Sequence, residues 1–133
     1  MLENPKVNIK IKLSALWTST IFCYLYGDYF ELYVPEKVNS LLSGINILDS
    51  PTKLLIASIV LAIPSVMVAL SILLKPKINR WLNIIFGLLF TLMMLLIAVN
   101  SLTAWYSFYV FLAILESVIT SLIVWHAWKW PKI

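Results

Sequence analysis

Three carboxylic acids, Asp28, Glu31 and Glu116, stand inside the apolar stretches of this chain, and no lysine or arginine accompanies them there. Glu116 falls close to the middle of the run from Trp105 to Trp128. A charge at the centre of a bilayer costs about 2.5–3.5 kcal/mol even on insertion scales, and without a counter-charge the neutral, protonated carboxyl is the favoured form. Such a group can donate a hydrogen bond or exchange a proton, but it is a poor anionic site. Asp28 and Glu31 share one helical face, which Tyr24 extends one turn earlier. At a rise of about 1.5 Å per residue, Asp28 lies within about 10 Å of the depth of Glu116. Asn100 sits at a similar height to Asp28, and Thr120 one turn from Glu116 on the same face. Two arrangements fit these positions. In one, a water-filled vestibule opens to the outside and narrows towards Glu116, forming a proton or cation path. In the other, Asp28 and Glu31 are solvated at the interface while Glu116 bonds a hydroxyl or amide across the helices as packing.

Other chemistries find little support. His126 is the single histidine, about 15 Å from Glu116 by helical rise, so the two cannot share a metal, and bis-histidine haem ligation is excluded. Cys23 stands alone, which rules out an internal disulfide and a thiolate metal site; it reads as a small packing residue. Three glycines leave no phosphate-binding loop, and neither a serine elbow nor zinc spacing occurs. No catalytic residue, metal or cofactor is expected.

The elements that must position the acids are helices in a membrane. With 62% hydrophobic and 12% charged residues and a mean hydropathy of +0.94, the chain is far from the balance of a soluble domain. A soluble enzyme, a disordered tail and a nucleic-acid binder are excluded. A bilayer core needs about 20 apolar residues per helix, and four such runs occur, at about 13–33, 54–74, 81–102 and 105–128. The expected fold is therefore an all-α integral membrane protein, a four-transmembrane-helix antiparallel bundle forming one domain over 1–133. Ser50-Pro51 offers an N-cap and a proline at the first helical position; Lys75-Pro76 and Trp130-Pro131 end the second and fourth spans. Val38, Leu41, Leu42 and Ile45 recur at helical spacing beside Lys37, Asn39 and Ser40, predicting a short amphipathic helix in the first outer loop. Pro64 interrupts the second span and is a hinge candidate, since the Val60 carbonyl loses its donor.

Eight of the ten basic residues precede the first span, separate the second from the third, or follow the fourth, leaving Lys37 and Lys53 on the opposite side. The positive-inside rule then makes both termini cytoplasmic. Trp17, Trp81, Trp125, Trp128 and Trp130 flank that side and Tyr29, Tyr33, Trp105 and Tyr106 the other, as interfacial belts. The first span is read as retained rather than cleaved as a signal peptide, because Gly27-Asp28-Tyr29 is not a small-x-small cleavage site. Helices in lipid associate through small and polar residues, so inward faces are expected at Trp17, Thr20, Tyr24, Asp28 and Glu31; at Ser58, Ala62, Ser65 and Ala69; at Asn83, Gly87, Thr91, Ala98 and Ser101; and at Tyr109, Ala113, Glu116, Thr120 and Ala127.

The string Gly27-Asp28-Tyr29-Phe30-Glu31-Leu32-Tyr33-Val34-Pro35, followed by Lys37-Val38 and by Ser50-Pro51-Thr52-Lys53 at the opening of the next span, resembles a family of small bacterial multi-pass membrane proteins known only as a domain of unknown function. The resemblance runs from Lys10 to the C-terminal tryptophans. It implies a four-helix membrane fold in a bacterial inner membrane and brings no activity or ligand with it. The architecture is more loosely similar to DoxX-like four-helix membrane proteins, whose redox role a single cysteine does not support.

The functional expectation is a proton- or cation-linked transport or channel component using intramembrane carboxylates, with Glu116, Asp28, Glu31, Tyr24, Asn100 and Thr120 as the candidate site. Four short helices rarely enclose a pore alone, so this version expects a homo-oligomer. The alternative is a binding or accessory protein that holds a lipid-like or small amphipathic ligand between helices. The expected surroundings are the lipid bilayer and no nucleic acid; an enzyme would need a nucleophile–base pair, and none is visible.

Overall fold

The computed structural model describes residues 1–132. Its helices run in the order α1 (Ile9–Glu31), α2 (Lys37–Ser43), α3 (Pro51–Leu73), α4 (Pro76–Asn100) and α5 (Ser107–Trp128), with a 3-10 turn at Ala104–Tyr106 leading into α5 and no strand among the described residues. Local chemistry sets the starts. Asn8 Oδ1 accepts from the Lys10 N–H at 2.8 Å, and Ser50 Oγ from the Lys53 N–H at 3.1 Å, with Pro51 at the first helical turn. Pro76 does more than end the second apolar run: it opens α4, five residues before the expected start at Trp81. Gly44 closes α2 with a left-handed φ of 77°, a conformation that glycine adopts without steric cost.

Three stretches, Pro51–Leu73, Pro76–Asn100 and Ala104–Trp128, are long and apolar enough to cross a membrane. The fourth long helix, α1, matches them in length, but Ser14, Thr18, Ser19, Thr20 and Asp28 dilute its hydropathy.

The long helices run antiparallel. Hydrogen bonds join the start of α1 to the end of α3, the start of α4 to the end of α5, and the end of α1 to the turn before α5. Helix α1 packs between α3 and α5, α4 packs along α5, and α3 meets α4 only sparingly. The core is Leu13, Trp17, Met67, Ile84, Phe90, Ile123 and Ala127, with Trp17 edge-on to Phe90 at 6.1 Å. Helices α4 and α5 approach closely at Gly87: a methyl group there would stand 2.7 Å from Val124 Cγ2 and 3.3 Å from the Thr120 carbonyl oxygen.

One inward face differs from expectation. Ser58, Ala62, Ser65 and Ala69 all lie exposed on α3, which instead turns Pro64, Met67 and Ser71 inward. Helix α3 meets α1 on the face where Ser14 Oγ donates to the Val68 carbonyl at 2.9 Å and where Ser71 joins the buried Asn83 network, and that register leaves the Ser58–Ala69 stripe outside. Helix α3 continues through Pro64 without interruption.

The end of the bundle that gathers the start of α1, the α3–α4 connection and the end of α5 carries most of the basic residues and is called the basic end; the opposite end is the loop end. At the basic end Trp17 Nε1 donates to Asn83 Oδ1 at 2.7 Å, Asn83 Nδ2 donates to Asn79 Oδ1 at 2.6 Å, and Asn79 Nδ2 donates to the Ser71 carbonyl at 2.6 Å. This buried knot ties α1, α3 and α4. Arg80 closes the end of α5, donating from Nε to the Ala127 carbonyl at 3.1 Å while stacking over Trp81 and Trp128, as suits a cation at a helix C-terminus.

Candidate functional site

Helix α5 carries Glu116 midway along its length, and α1 brings Tyr24 and Gly27 opposite it because the two helices pack antiparallel. Glu116 is 4% exposed. It lines a small pocket with Cys23, Tyr24, Gly27, Tyr109, Leu112 and Ala113, about 10 Å³ in volume, room for one water and nothing larger. The Glu116 carboxyl takes part in no hydrogen bond or ion pair with another described residue; only its backbone carbonyl is engaged, by Thr120 Oγ1 at 3.0 Å. The Tyr24 hydroxyl is buried and has no partner either. Two polar groups without a protein partner therefore line one pocket; of the two, the Tyr24 hydroxyl is the one sealed from solvent, whereas buried polar atoms in proteins are nearly always paired.

At the loop end lies a wider vestibule of about 560 Å³, lined by Glu31, Lys37, Ile47, Ile97, Asn100, Ser101, Thr103, Tyr106 and Tyr109. Glu31 is held there from two sides, by Lys37 Nζ at 2.9 Å and by the Tyr106 hydroxyl, which donates to Oε1 at 3.2 Å. Tyr109 lines both the vestibule and the Glu116 pocket, so its ring is the partition between them. That ring approaches α1 closely at Gly27: a Cβ built on Gly27 would stand 3.6 Å from Tyr109 Cε2 and from Leu112 Cδ1.

The structure thus brings Glu31 and Asn100 together in the vestibule and Tyr24 and Glu116 together in the inner pocket. Asp28 lines neither cavity and is exposed on α1, yet it stands close enough for its charge to act on Glu116 and Tyr109. Thr120 is buried beside the pocket, but its hydroxyl pairs with Thr91 Oγ1 at 2.6 Å across the α4–α5 seam. Pro64 belongs to the α1–α3 packing rather than to the pocket. Sequence reasoning passed over Lys37, Tyr106 and Gly27 as site residues. The signal for Gly27 was its place on the Tyr24–Glu31 face, where a missing side chain leaves space.

Towards the basic end stand Trp17, Phe90 and Ile123, fully buried in the core cluster against which Tyr24 packs. A larger groove of about 700 Å³ runs along α4 and α5 between Leu95, Ile114, Val118 and Leu122. The hydroxyls at its base, Thr91, Ser117 and Ser121, all donate to carbonyls of their own helices, so it offers little for polar recognition. Among the described residues no three His, Cys, Asp or Glu side chains come together as metal ligands.

These features define a helical protein with apolar helices suited to a membrane and a buried carboxyl next to an open vestibule. The chain belongs to a family of unknown function (DUF6326), whose model matches residues 3–133. No curated protein and no solved structure matches it.

Proposed function

We propose that the chain is a four-span membrane protein whose activity centres on Glu116 exchanging a proton, or binding a cation, from the vestibule side, as a component of proton- or cation-linked transport. The observation that carries this reading is the buried Glu116 carboxyl, unpaired in a pocket that shares Tyr109 with the vestibule. A polar group kept in an apolar interior without a partner is retained against its desolvation cost, and ionisable residues at that depth mark ion or proton paths by default. The distribution of Lys and Arg supports cytoplasmic termini and a vestibule open to the outside of a bacterial inner membrane. Helix α2, with Val38, Leu41 and Leu42 exposed, then lies on the outer surface of the bilayer. The buried core of Trp17, Phe90 and Ile123 on the basic-end side of Tyr24 favours one-sided access, so full passage needs a second conformation or a homo-oligomer.

The test is flux from liposomes holding the purified protein. Proton or monovalent-cation flux is expected with the wild type and lost with Glu116→Gln; wild-type vesicles no leakier than empty ones overturn the proposal. A second reading is favoured by the vestibule volume of about 560 Å³, within the range of small-ligand sites: the vestibule holds a small amphipathic molecule against Ile47 and Ile97, its polar end at the Glu31–Lys37 pair. Native mass spectrometry retaining such a molecule in the wild type and losing it in Lys37→Ala supports that reading.

A further inference from the structure

We infer that the pocket between α1 and α5 is a one-water site joining Tyr24 to Glu116, so that the species reaching Glu116 is a proton rather than a metal cation or an organic solute. This rests on the proposed role of Glu116 and narrows its substrate class. Size is the first argument. A volume of about 10 Å³ admits one water, far too little for a hydrated ion or an amphipathic molecule. The lining is the second. A bare sodium or potassium ion requires a shell of oxygens to replace its hydration, whereas the polar side chains at the pocket are those of Glu116, Tyr24, Tyr109 and Cys23. The carbonyls of α1 and α5 around it belong to helical ladders.

A water, by contrast, needs two to four polar partners, and this pocket holds two groups in want of one. The Tyr24 hydroxyl has a proton to donate and no acceptor, and the Glu116 bond to a described residue is made by its backbone carbonyl, not its carboxyl. Tyr109 separates this position from the vestibule, so a proton arriving there passes through the bridging water to the carboxyl. From the protonated carboxyl the step runs outward first: Glu116 gives its proton to the water as the water releases another to the vestibule side, leaving a carboxylate, and the reverse transfer restores the neutral carboxyl with the water unchanged.

Gly27 supplies the test. Alanine at this position places its methyl group in the cleft at ordinary contact distance from Leu112 and Tyr109. It takes up space in a pocket of about 10 Å³ without removing a polar group, and alanine favours helix more than glycine does. In vesicles, wild-type protein is expected to carry protons with no sodium or potassium flux, and Gly27→Ala to lose proton flux to the level of Glu116→Gln. Infrared difference spectra between H2O and D2O provide the independent readout: the C=O stretch assigned by its loss in Glu116→Gln is expected to shift in Gly27→Ala and in Tyr24→Phe, each of which removes the water or one of its partners. Gly27→Ala with undiminished proton flux and an unshifted band overturns the one-water site while leaving Glu116 as the proton acceptor. Sodium or potassium flux that depends on Glu116 overturns the restriction to protons. Wild-type vesicles that are silent to every ion, with the carboxyl band still sensitive to Gly27→Ala, retain the water site and overturn the transport role instead.

Discussion

Two buried polar clusters stand in the same bundle and are built on opposite terms. At the basic end Trp17, Ser71, Asn79 and Asn83 exchange hydrogen bonds until every side-chain donor among them has an acceptor. Halfway along the bundle Glu116 and Tyr24 meet across a pocket with neither satisfied by the protein. Both clusters lie inside the bundle, at different heights, and what sets them apart chemically is pairing. A closed network specifies how helices dock and has no capacity left for a visitor. An open one contributes little to docking and keeps its capacity for water or a proton. The contrast makes the first a structural clamp and the second a site, and it can be broken by measuring stability and flux on both.

The largest effect is expected from Asn83→Ala. It leaves Trp17 Nε1 and the Ser71 hydroxyl without their acceptor and Asn79 Oδ1 without its donor, while Asn79 Nδ2 keeps the Ser71 carbonyl; each orphaned group costs about 1–3 kcal/mol. Interhelical bonds in membranes average only about 0.6 kcal/mol when the freed groups find substitutes, but no second acceptor is recorded for Trp17 Nε1. A loss on the order of 2–3 kcal/mol in reversible unfolding in detergent micelles, followed by far-ultraviolet circular dichroism, is therefore expected. A loss below about 0.5 kcal/mol would remove the clamp from the comparison. Trp17→Phe is expected to cost less, about 1 kcal/mol, because Ser71 Oγ still donates to Asn83 Oδ1 at 3.3 Å.

Glu116→Leu is expected to behave in the opposite sense. Replacing a buried, unpartnered polar group with an apolar one of similar volume is neutral or stabilising, by up to about 1 kcal/mol, while proton flux disappears. The same unfolding experiment decides it: a loss of 2 kcal/mol or more, on the scale of a broken buried bond, would show that the carboxyl holds helices together and would collapse the distinction between the two clusters.

The two regions also differ in how much of them could be read from residue order. Hydropathy marked α3, α4 and α5 well, because unbroken apolar runs of that length are rare outside membrane helices, and it marked α1 less well because polar residues dilute it. Glu116 stood out because the cost of charge in lipid is large and local. The clamp did not: Asn83 lay on a marked stripe, but Asn79 and Ser71 are joined to it by the α3–α4 turn, which composition does not encode. Small residues misled on α3, since Ser58, Ala62, Ser65 and Ala69 form a face as regular as any other and lie outside; which face of α3 turns inward is decided by its register on α1. Asp28 and Glu31 looked equivalent at spacing three. Only the chain reversal after α1, which swings Lys37 back to 2.9 Å from Glu31, separates the held carboxylate from the exposed one. Tyr109 as the partition between vestibule and pocket required the antiparallel register of α1 and α5.

The smallest effect is expected from Thr120→Val, and it sharpens the border between seam and site. Thr120 sits one turn from Glu116 and its hydroxyl engages Thr91 at 2.6 Å, yet each threonine also reaches a carbonyl of its own helix, Gly87 for Thr91 and Glu116 for Thr120. Removing one hydroxyl strands neither partner, so stability should fall by about 0.6 kcal/mol, the typical value for such bonds between membrane helices. Proton flux should be unchanged, because the Thr120 hydroxyl touches the backbone of Glu116 and not its carboxyl. Flux measured beside Gly27→Ala and Thr120→Val in the same vesicles tells the two apart. A loss confined to Gly27→Ala places the working face of Glu116 towards α1; an equal loss in Thr120→Val would move it to the α4–α5 seam and make the threonine pair part of the proton route.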